Sequence, residues 1–435
     1  MPNRPQQLPA VHEAWLPREH SLHRPRHGGR QLTALICALI FFAAPNLMWL
    51  GGARPAEIEN HPLAGFPSIA AGWSFFTDLP TWATDQLVFR AGAVTAADAI
   101  SRTFFGEPAP FDQGGTGNPG PLPGSPQSPP AGQVPGQDTP HTEPGYRRVI
   151  EGGDGWLYYG FDVDGKCEPQ RPMEQTFARI DRLREAVESS GRRFVFVIAP
   201  DKTTMAPQHL PDSYAGKQCS RLASQEFWRL AGSRDYVVDI RDELAAQAQL
   251  LGRPVYFRND THWTDEGAIV LTRAVAEAVQ PGVTEAWRAA GVGWVTGTAD
   301  LPRMLGRSEK KSTLRYELRP DGQTDRTTEP LLDLERPQHH TASPIEQTVN
   351  SKTLVFGDSF ALASSRYLPA GFSDLTILGY PSMADYERTV LNAFTDAEVV
   401  VVQAVERSVA ASTLPFIDEG FLQQARQAMA RRPIR

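Results

Sequence analysis

Asp260-Thr261-His262-Trp263 sets a carboxylate two residues from an imidazole, and further along Val355-Phe356-Gly357-Asp358-Ser359-Phe360 ends an apolar run on a serine. In an extended segment, side chains two apart leave the backbone on the same side, so the Asp260 carboxylate lies alongside the His262 ring. The second stretch reads as a strand from Thr353 to Phe356 that turns at Gly357 into a helix. Ser359 then sits at a helix N-terminus, where negative charge is favoured. A carboxylate, an imidazole and a hydroxyl are the parts of an activated oxygen nucleophile: Asp260 holds the ring, and His262 takes the Ser359 proton and returns it to the leaving group. Ser359 as a plain helix N-cap is the competing reading of Gly-Asp-Ser taken alone.

The elements that must position these residues alternate along the chain. Phe194–Ile198, Tyr236–Ile240, Thr353–Phe356, Leu375–Leu378 and Val399–Gln403 are short apolar strands. Between them lie helical spacings, such as Phe177, Ile180, Leu183 and Val187, or Ala268, Leu271, Val275 and Val279 behind a cap at Thr264 or Asp265. Unalternating strands between helices predict a three-layer α/β fold with a parallel sheet covered on both faces. Ligands of such sheets bind beyond the carboxyl ends of the strands, and Lys202, Asp260, His262, Ser359 and Glu406 all fall there.

The same residues carry a family resemblance. Gly357-Asp358-Ser359 resembles the nucleophile block of SGNH/GDSL hydrolases, and Asp260-Thr261-His262-Trp263 resembles the acid/base block of the alginate O-acetyltransferase (AlgX/AlgJ-like) branch. Gly153-Asp154-Gly155-Trp156-Leu157-Tyr158, Asp300-Leu301, Leu305-Gly306 and Glu406-Arg407 are similar to further elements of that branch, as are Glu59-Asn60 and Asp85 to Arg90 near the start. In ordinary SGNH enzymes the serine precedes the Asp/His pair. The reversed order here implies the flavodoxin-like SGNH fold with permuted motif order. The resemblance further implies a Ser359 acyl-enzyme, an acetyl group moved onto an exopolysaccharide or cell-envelope glycan, no metal or cofactor, and a membrane-bound O-acyltransferase partner that supplies the acetyl group. A carbohydrate acetyl esterase with the same triad and a non-enzymatic glycan-binding scaffold are the alternatives.

Around the triad, the Ser359 N–H is the first oxyanion donor and Tyr380, just past a strand end, a second. Lys202 either orients Asp358 or substrate or is a solvated strand-end lysine. Trp263 is core packing or a sugar-stacking platform, and Arg407 forms an ion pair with Glu406 that fixes the site.

The 435-residue chain has a net charge of −7, with basic residues scattered beyond the N-terminus, which gives no footprint for nucleic acid. Residues 1–31 hold five arginines, and Leu32 to Leu50 carries no charge. Close to 20 apolar residues cross a bilayer as a helix, so 32–50 reads as a signal anchor, with residues 1–31 cytoplasmic and the body extracytoplasmic by the positive-inside rule. A cleaved signal peptide is the competitor. Residues 51–105 read as an amphipathic lead-in packed on the catalytic body. In 106–145, glycine and proline make up 20 of 40 residues without a period, a disordered linker. The catalytic domain follows over 146–435, with a polar insertion at 307–350. Cys37 lies in the apolar span as a small hydrophobe. In an extracytoplasmic body, Cys167 and Cys219 are either a disulfide or two unpaired thiols. Neither has metal-ligand spacing with histidine.

Overall fold

The computed structural model describes residues 29–53, 65–68, 74–88, 92–93, 96, 146–380 and 383–434. The tail before Gly29, the Pro/Gly-rich segment 106–145 and much of the lead-in lie outside the described residues. Two compact units divide the chain, 1–96 and 97–435. The first contains helix α1 (Gly29–Leu50), whose segment Leu32–Leu50 is long and apolar enough to cross a membrane. It also contains α2 (Ser74–Asp85), where Trp82 meets Phe66 edge-on at 4.9 Å.

The second unit is built on a six-stranded sheet. In chain order its strands are β3 (Arg193–Ala199), β4 (Val237–Asp239), β7 (Gln338–Thr341), β8 (Thr353–Gly357), β9 (Asp374–Gly379) and β10 (Val399–Val405). Their spatial order is β4-β3-β10-β8-β9-β7. The first five run parallel, and β7 closes the edge antiparallel to β9. The unbroken valines of β10 follow from its central place. Val400 and Val402 enter the core on one face with Phe177 and Phe227, while Val399 and Val401 enter the other with Leu271 and Val275. Both faces are dry, so alternation would leave polar groups buried; each buried valine contributes roughly 1.5–3 kcal/mol instead.

Two expectations are corrected. The sheet is mixed rather than wholly parallel, because β7 adds an antiparallel strand. And residues 307–350 are not merely an insertion. They supply β7 and β6 (Lys310–Arg319), and β6 pairs with β5 (Arg288–Thr298) in a separate antiparallel ribbon. Both β6 and β7 keep one side towards solvent, so their sequences are polar enough to resemble a loop.

A hairpin of β1 (Val149–Glu151) and β2 (Leu157–Tyr159) precedes the sheet, its turn carrying Asp154 and Gly155 at φ 54° and 73°. After it come α3 (Phe161–Cys167), α4 (Met173–Glu188), α5 (Lys202–Met205), α6 (Lys217–Gly232), α7 (Arg241–Leu251), α8 (Asp265–Val279), α9 (Asp300–Met304), α10 (Ser359–Ala363), α11 (Met383–Asp396), α12 (Glu406–Ala411) and α13 (Glu419–Arg431). Cys167 and Cys219 are joined across α3 and α6, with Cα atoms 5.7 Å apart and a sequence separation of 52. Closing a loop of that length restricts the unfolded chain, so Cys219→Ser is expected to lower unfolding free energy by about 3–4 kcal/mol. Urea titration reads this directly, and an unchanged midpoint would count against it.

Candidate active site

The shelf that carries Ser359 forms where β8 hands over to α10. A Cβ on Gly357 would stand 2.6 Å from the Ala361 Cβ and 2.7 Å from Gln403 Oε1, so only glycine permits this turn. Asp358 caps the helix: its Oδ1 accepts the Phe360 N–H at 2.8 Å. Its Oδ2 accepts the Val405 N–H at 2.7 Å and the Tyr380 hydroxyl at 3.1 Å. Gln403, buried in β10, accepts the Asp358 and Ala361 N–H groups through Oε1 at 3.1 and 3.2 Å. Ser359 stands exposed on this shelf. Its neighbours' N–H groups are engaged, whereas its own has no intramolecular acceptor among the described residues. Gly357→Ala is expected to cost about 1–3 kcal/mol and to lower activity, since the added methyl must push Gln403 or Ala361 off the shelf; a thermal melt beside an activity assay checks both.

The acid/base block lies on a loop pinned by an isolated bridge between Tyr256 and Trp263. It is a bend rather than the extended segment expected. The same-side placement of Asp260 and His262 has a different cause from strand alternation. Asp260 Oδ1 accepts both the His262 backbone N–H at 3.1 Å and ring Nδ1–H at 2.8 Å, a side-chain turn that presents the imidazole. Asp260 Oδ2 accepts the Lys311 ammonium at 2.6 Å and the Asp300 N–H at 3.0 Å. Asp300 places a second carboxylate 3.5 Å from His262 Nδ1 and is held by the Thr261 N–H at 2.9 Å and the Thr261 hydroxyl.

These contacts divide the two acids. Burial raises Asp260, but the hydrogen bond and charge of His262 and the Lys311 ammonium outweigh it, and the carboxyl is held well below the usual carboxylate range. Burial, followed by the Asp260 charge, raises Asp300. One acid is thus kept as the anion facing the imidazole, and the other is biased towards its proton. The ligand atoms of Asp260, His262 and Asp300 lie within 4.8 Å of one another. Lys311 already neutralises Asp260 and Thr261 occupies Asp300, which suits a proton relay better than a cation.

His262 and Ser359 line one cleft of about 390 Å³, with Lys311, Arg315 and Arg366 among its walls. Phe360 joins the two halves, its ring centroid 5.0 Å from that of His262 and 4.8 Å from that of Trp263. His262 Nε2 has no hydrogen-bond partner, so serine and imidazole share the cleft without a bond between them. Such contacts commonly tighten only when substrate is bound.

The remaining sequence candidates fall around the cleft. Tyr380 is 2% exposed and its hydroxyl is given to Asp358, so it is not the oxyanion donor expected. Asp358 is a structural cap, held from three sides. Lys202 orients neither Asp358 nor substrate: at 1% exposure its ammonium donates to the carbonyls of Leu157, Arg258 and Asp260 at 2.5, 2.8 and 3.0 Å, tying the acid/base loop to β2. Burial pushes it down to about 7. Trp263, 1% exposed, packs edge-on against Phe360 in the wall of the cleft. Arg407 pairs with Asp162 and Asp201 at 3.3 and 3.4 Å rather than with Glu406, and lies 5.5 Å from the Phe360 ring. Glu406 pairs instead with Lys166 at 2.7 Å.

Sequence reasoning missed Lys311, Asp300 as a carboxylate beside the ring, Gln403 and the linking role of Phe360. Asp300 carried a signal in its Asp-Leu motif; Lys311 carried none, lying in a stretch dismissed for its polarity.

Residues 149–372 match the family described as "SGNH hydrolase-like domain, acetyltransferase AlgX". The chain is 28% identical over 131 residues to the probable alginate O-acetylase AlgJ of Pseudomonas fluorescens, 30% of this chain and 33% of that protein. It is 30% identical over 131 residues to the AlgJ of Pseudomonas syringae pv. tomato, with the same two shares. The match thus spans 33% of the length of these curated relatives. Among solved structures, the O-acetyltransferase domain of Pseudomonas putida AlgJ aligns at 20% identity and a TM-score of 0.43, covering 64% of this chain and 99% of that one. Bacillus cereus PatB1 aligns at 13% identity and 0.41, covering 62% and 99%.

Proposed function

Because the chain belongs to the family of the SGNH hydrolase-like domain of the acetyltransferase AlgX, we propose that it is a membrane-anchored, extracytoplasmic O-acetyltransferase acting on an exopolysaccharide or cell-envelope glycan. The observation that carries this reading is the Asp260–His262 pair facing the same cleft as Ser359.

In the proposed reaction, the Ser359 hydroxyl attacks the acetyl carbonyl of the donor while His262 Nε2 takes its proton. Asp260, ionised against Lys311, accepts the Nδ1–H and stabilises the imidazolium. The Ser359 N–H receives the oxyanion, a donor worth about 3–4 kcal/mol in comparable sites. Collapse returns the proton to the donor's leaving group and leaves acetyl-Ser359. A sugar hydroxyl then gives its proton to His262 and attacks the acyl carbon, which releases the acetylated sugar and restores Ser359. No cofactor enters these steps. The donor comes from a membrane-bound O-acyltransferase partner, and α1 (Gly29–Leu50) holds the chain at the bilayer.

The test is a chromogenic acetyl ester given to the detergent-solubilised full chain, with and without oligosaccharide acceptors. The reading expects acetyl on the sugar; free acetate alone, whatever sugar is offered, would make the protein an esterase. A finer prediction concerns Lys311. Lys311→Met removes a charge that helps hold the Asp260 carboxyl below the usual carboxylate range, so Asp260 is less firmly kept as the anion behind the ring. kcat/KM is then expected to fall roughly tenfold at neutral pH. An unchanged kcat/KM would reduce Lys311 to a structural role.

A further inference from the structure

A second cavity, of about 490 Å³, lies apart from the residues of the catalytic cleft, walled chiefly by α6 (Lys217–Gly232) and the segment around α5 (Lys202–Met205). Lys217, Ser220, Arg221, Ser224, Gln225 and Trp228 all line it, at the spacing i, i+3, i+4, i+7, i+8, i+11. That spacing is one face of a helix, the stripe that ordinarily carries apolar residues into a core. Here most of the stripe is cationic or hydrogen-bonding and faces an open cavity.

The charge of the lining is one-sided. Lys166, Lys217, Arg221 and Arg241 contribute to it and no carboxylate does, in a protein of net charge −7. Two of the four are neutralised from behind: Lys166 by Asp201 and Glu406 at 2.8 and 2.7 Å, and Arg241 by Asp239 at 2.6 Å. The other two are not. The Lys217 ammonium rests on the backbone carbonyls of Asp212 and Pro211, at 2.6 and 3.2 Å, and lies 5.9 Å from the Tyr214 ring centroid, with no carboxylate beside it among the described residues. Arg221 has no ion-pair partner among the described residues. Like charges four apart on a helix repel, and an anion between them relieves that repulsion.

Two further donors stand in the wall. Trp228 is 7% exposed and its indole N–H has no acceptor among the described residues, and the Thr203 hydroxyl is likewise buried without a partner among them. The Cys167–Cys219 disulfide fixes the backbone of α6 beside α3, the helix that carries Lys166, with Cys219 between Lys217 and Arg221 on α6.

From these observations we infer that the α6 cavity binds the oxyanion of an acidic small molecule, a carboxylate or phosphate group held between Lys217 and Arg221. Its volume falls within the range of small-ligand sites. The site is separate from the Ser359 chemistry and does not depend on the acetyltransferase reading.

The experiment is calorimetric titration of the detergent-solubilised full chain with trigalacturonate, neutral cellotriose and inorganic phosphate, at low and high salt. Wild type, Lys217→Glu/Arg221→Glu and the catalytic-cleft variant Arg315→Glu are compared. Saturable, salt-sensitive trigalacturonate binding is expected, weakened at least about tenfold in the double variant, retained in Arg315→Glu, and accompanied by unchanged acetyl-ester cleavage in the double variant. If phosphate binds and trigalacturonate does not, with the same dependence on Lys217 and Arg221, the oxyanion is a phosphate. The inference is overturned by equal affinity in the double variant, by equal binding of cellotriose, by loss of binding in Arg315→Glu alone, or by no saturable binding of either anion.

Discussion

Ser359→Ala is expected to lower acetyl-ester cleavage and acetyl transfer together by at least about a thousandfold, with the melting temperature close to that of the parent. The two halves of this prediction have separate causes. Ser359 is exposed on its shelf, so removing its hydroxyl deletes no buried contact, and exposed substitutions generally change stability by less than about 0.5 kcal/mol. The Asp358 cap and the Gln403 bonds that shape the shelf involve other atoms and persist. The proposed reaction, by contrast, uses the Ser359 hydroxyl as its nucleophile. Parallel loss of both activities matters, because in the proposed mechanism transfer and hydrolysis share one acyl-enzyme; a variant that lost only one would indicate two sites.

Asp260→Asn is the second large effect, expected to reduce kcat by roughly 10³–10⁴. An asparagine amide offers the ring one acceptor, one donor and no charge, so the Nδ1–H tautomer and the imidazolium both lose their partner. It also leaves the Lys311 ammonium, now 2.6 Å from Asp260 Oδ2, without its anion. The substitution should therefore destabilise the fold as well, in a pH-dependent way. The folded carboxyl is held below its ordinary value, so its contribution is fully present above the unfolded pKa of about 3.9 and is lost as pH falls below it. Melting curves of the two proteins should differ most above about pH 5, and the gap should narrow as the pH falls below about 4, closing only below the depressed folded pKa of Asp260. A constant gap across that range would mean that the Asp260 charge is not what stabilises the loop.

Much of the fold was legible because central strands and helices leave strong patterns. The valines of β10 and the spacing Phe177, Ile180, Leu183, Val187 are dictated by burial on both faces and on one face, respectively. The edge was not legible: β7 has the sequence Gln-His-His-Thr and keeps half its side chains in water, so nothing apolar marks it. Asp260, His262 and Ser359 could be brought to one cleft only from residue type, strand-end position and the family resemblance together. Their support could not. Lys311 reaches Asp260 from a polar ribbon distant in sequence, and Gln403 is one polar residue in an otherwise apolar strand. Tyr380 and Lys202 show the reverse error, for a polar residue at a strand end can point down as readily as out. Each of them donates instead to a buried acceptor, the Asp358 carboxylate or the carbonyls of the acid/base loop.

The most direct measurement is intact-mass analysis, with peptide mapping, of the full chain quenched in acid shortly after mixing with a chromogenic acetyl ester, and again after adding an oligosaccharide. One acetyl group on the peptide containing Ser359, discharged when the sugar is added and recovered on the sugar, is the predicted result. Ester turnover with no adduct on that peptide, continuing at the same rate in Ser359→Ala, would contradict it.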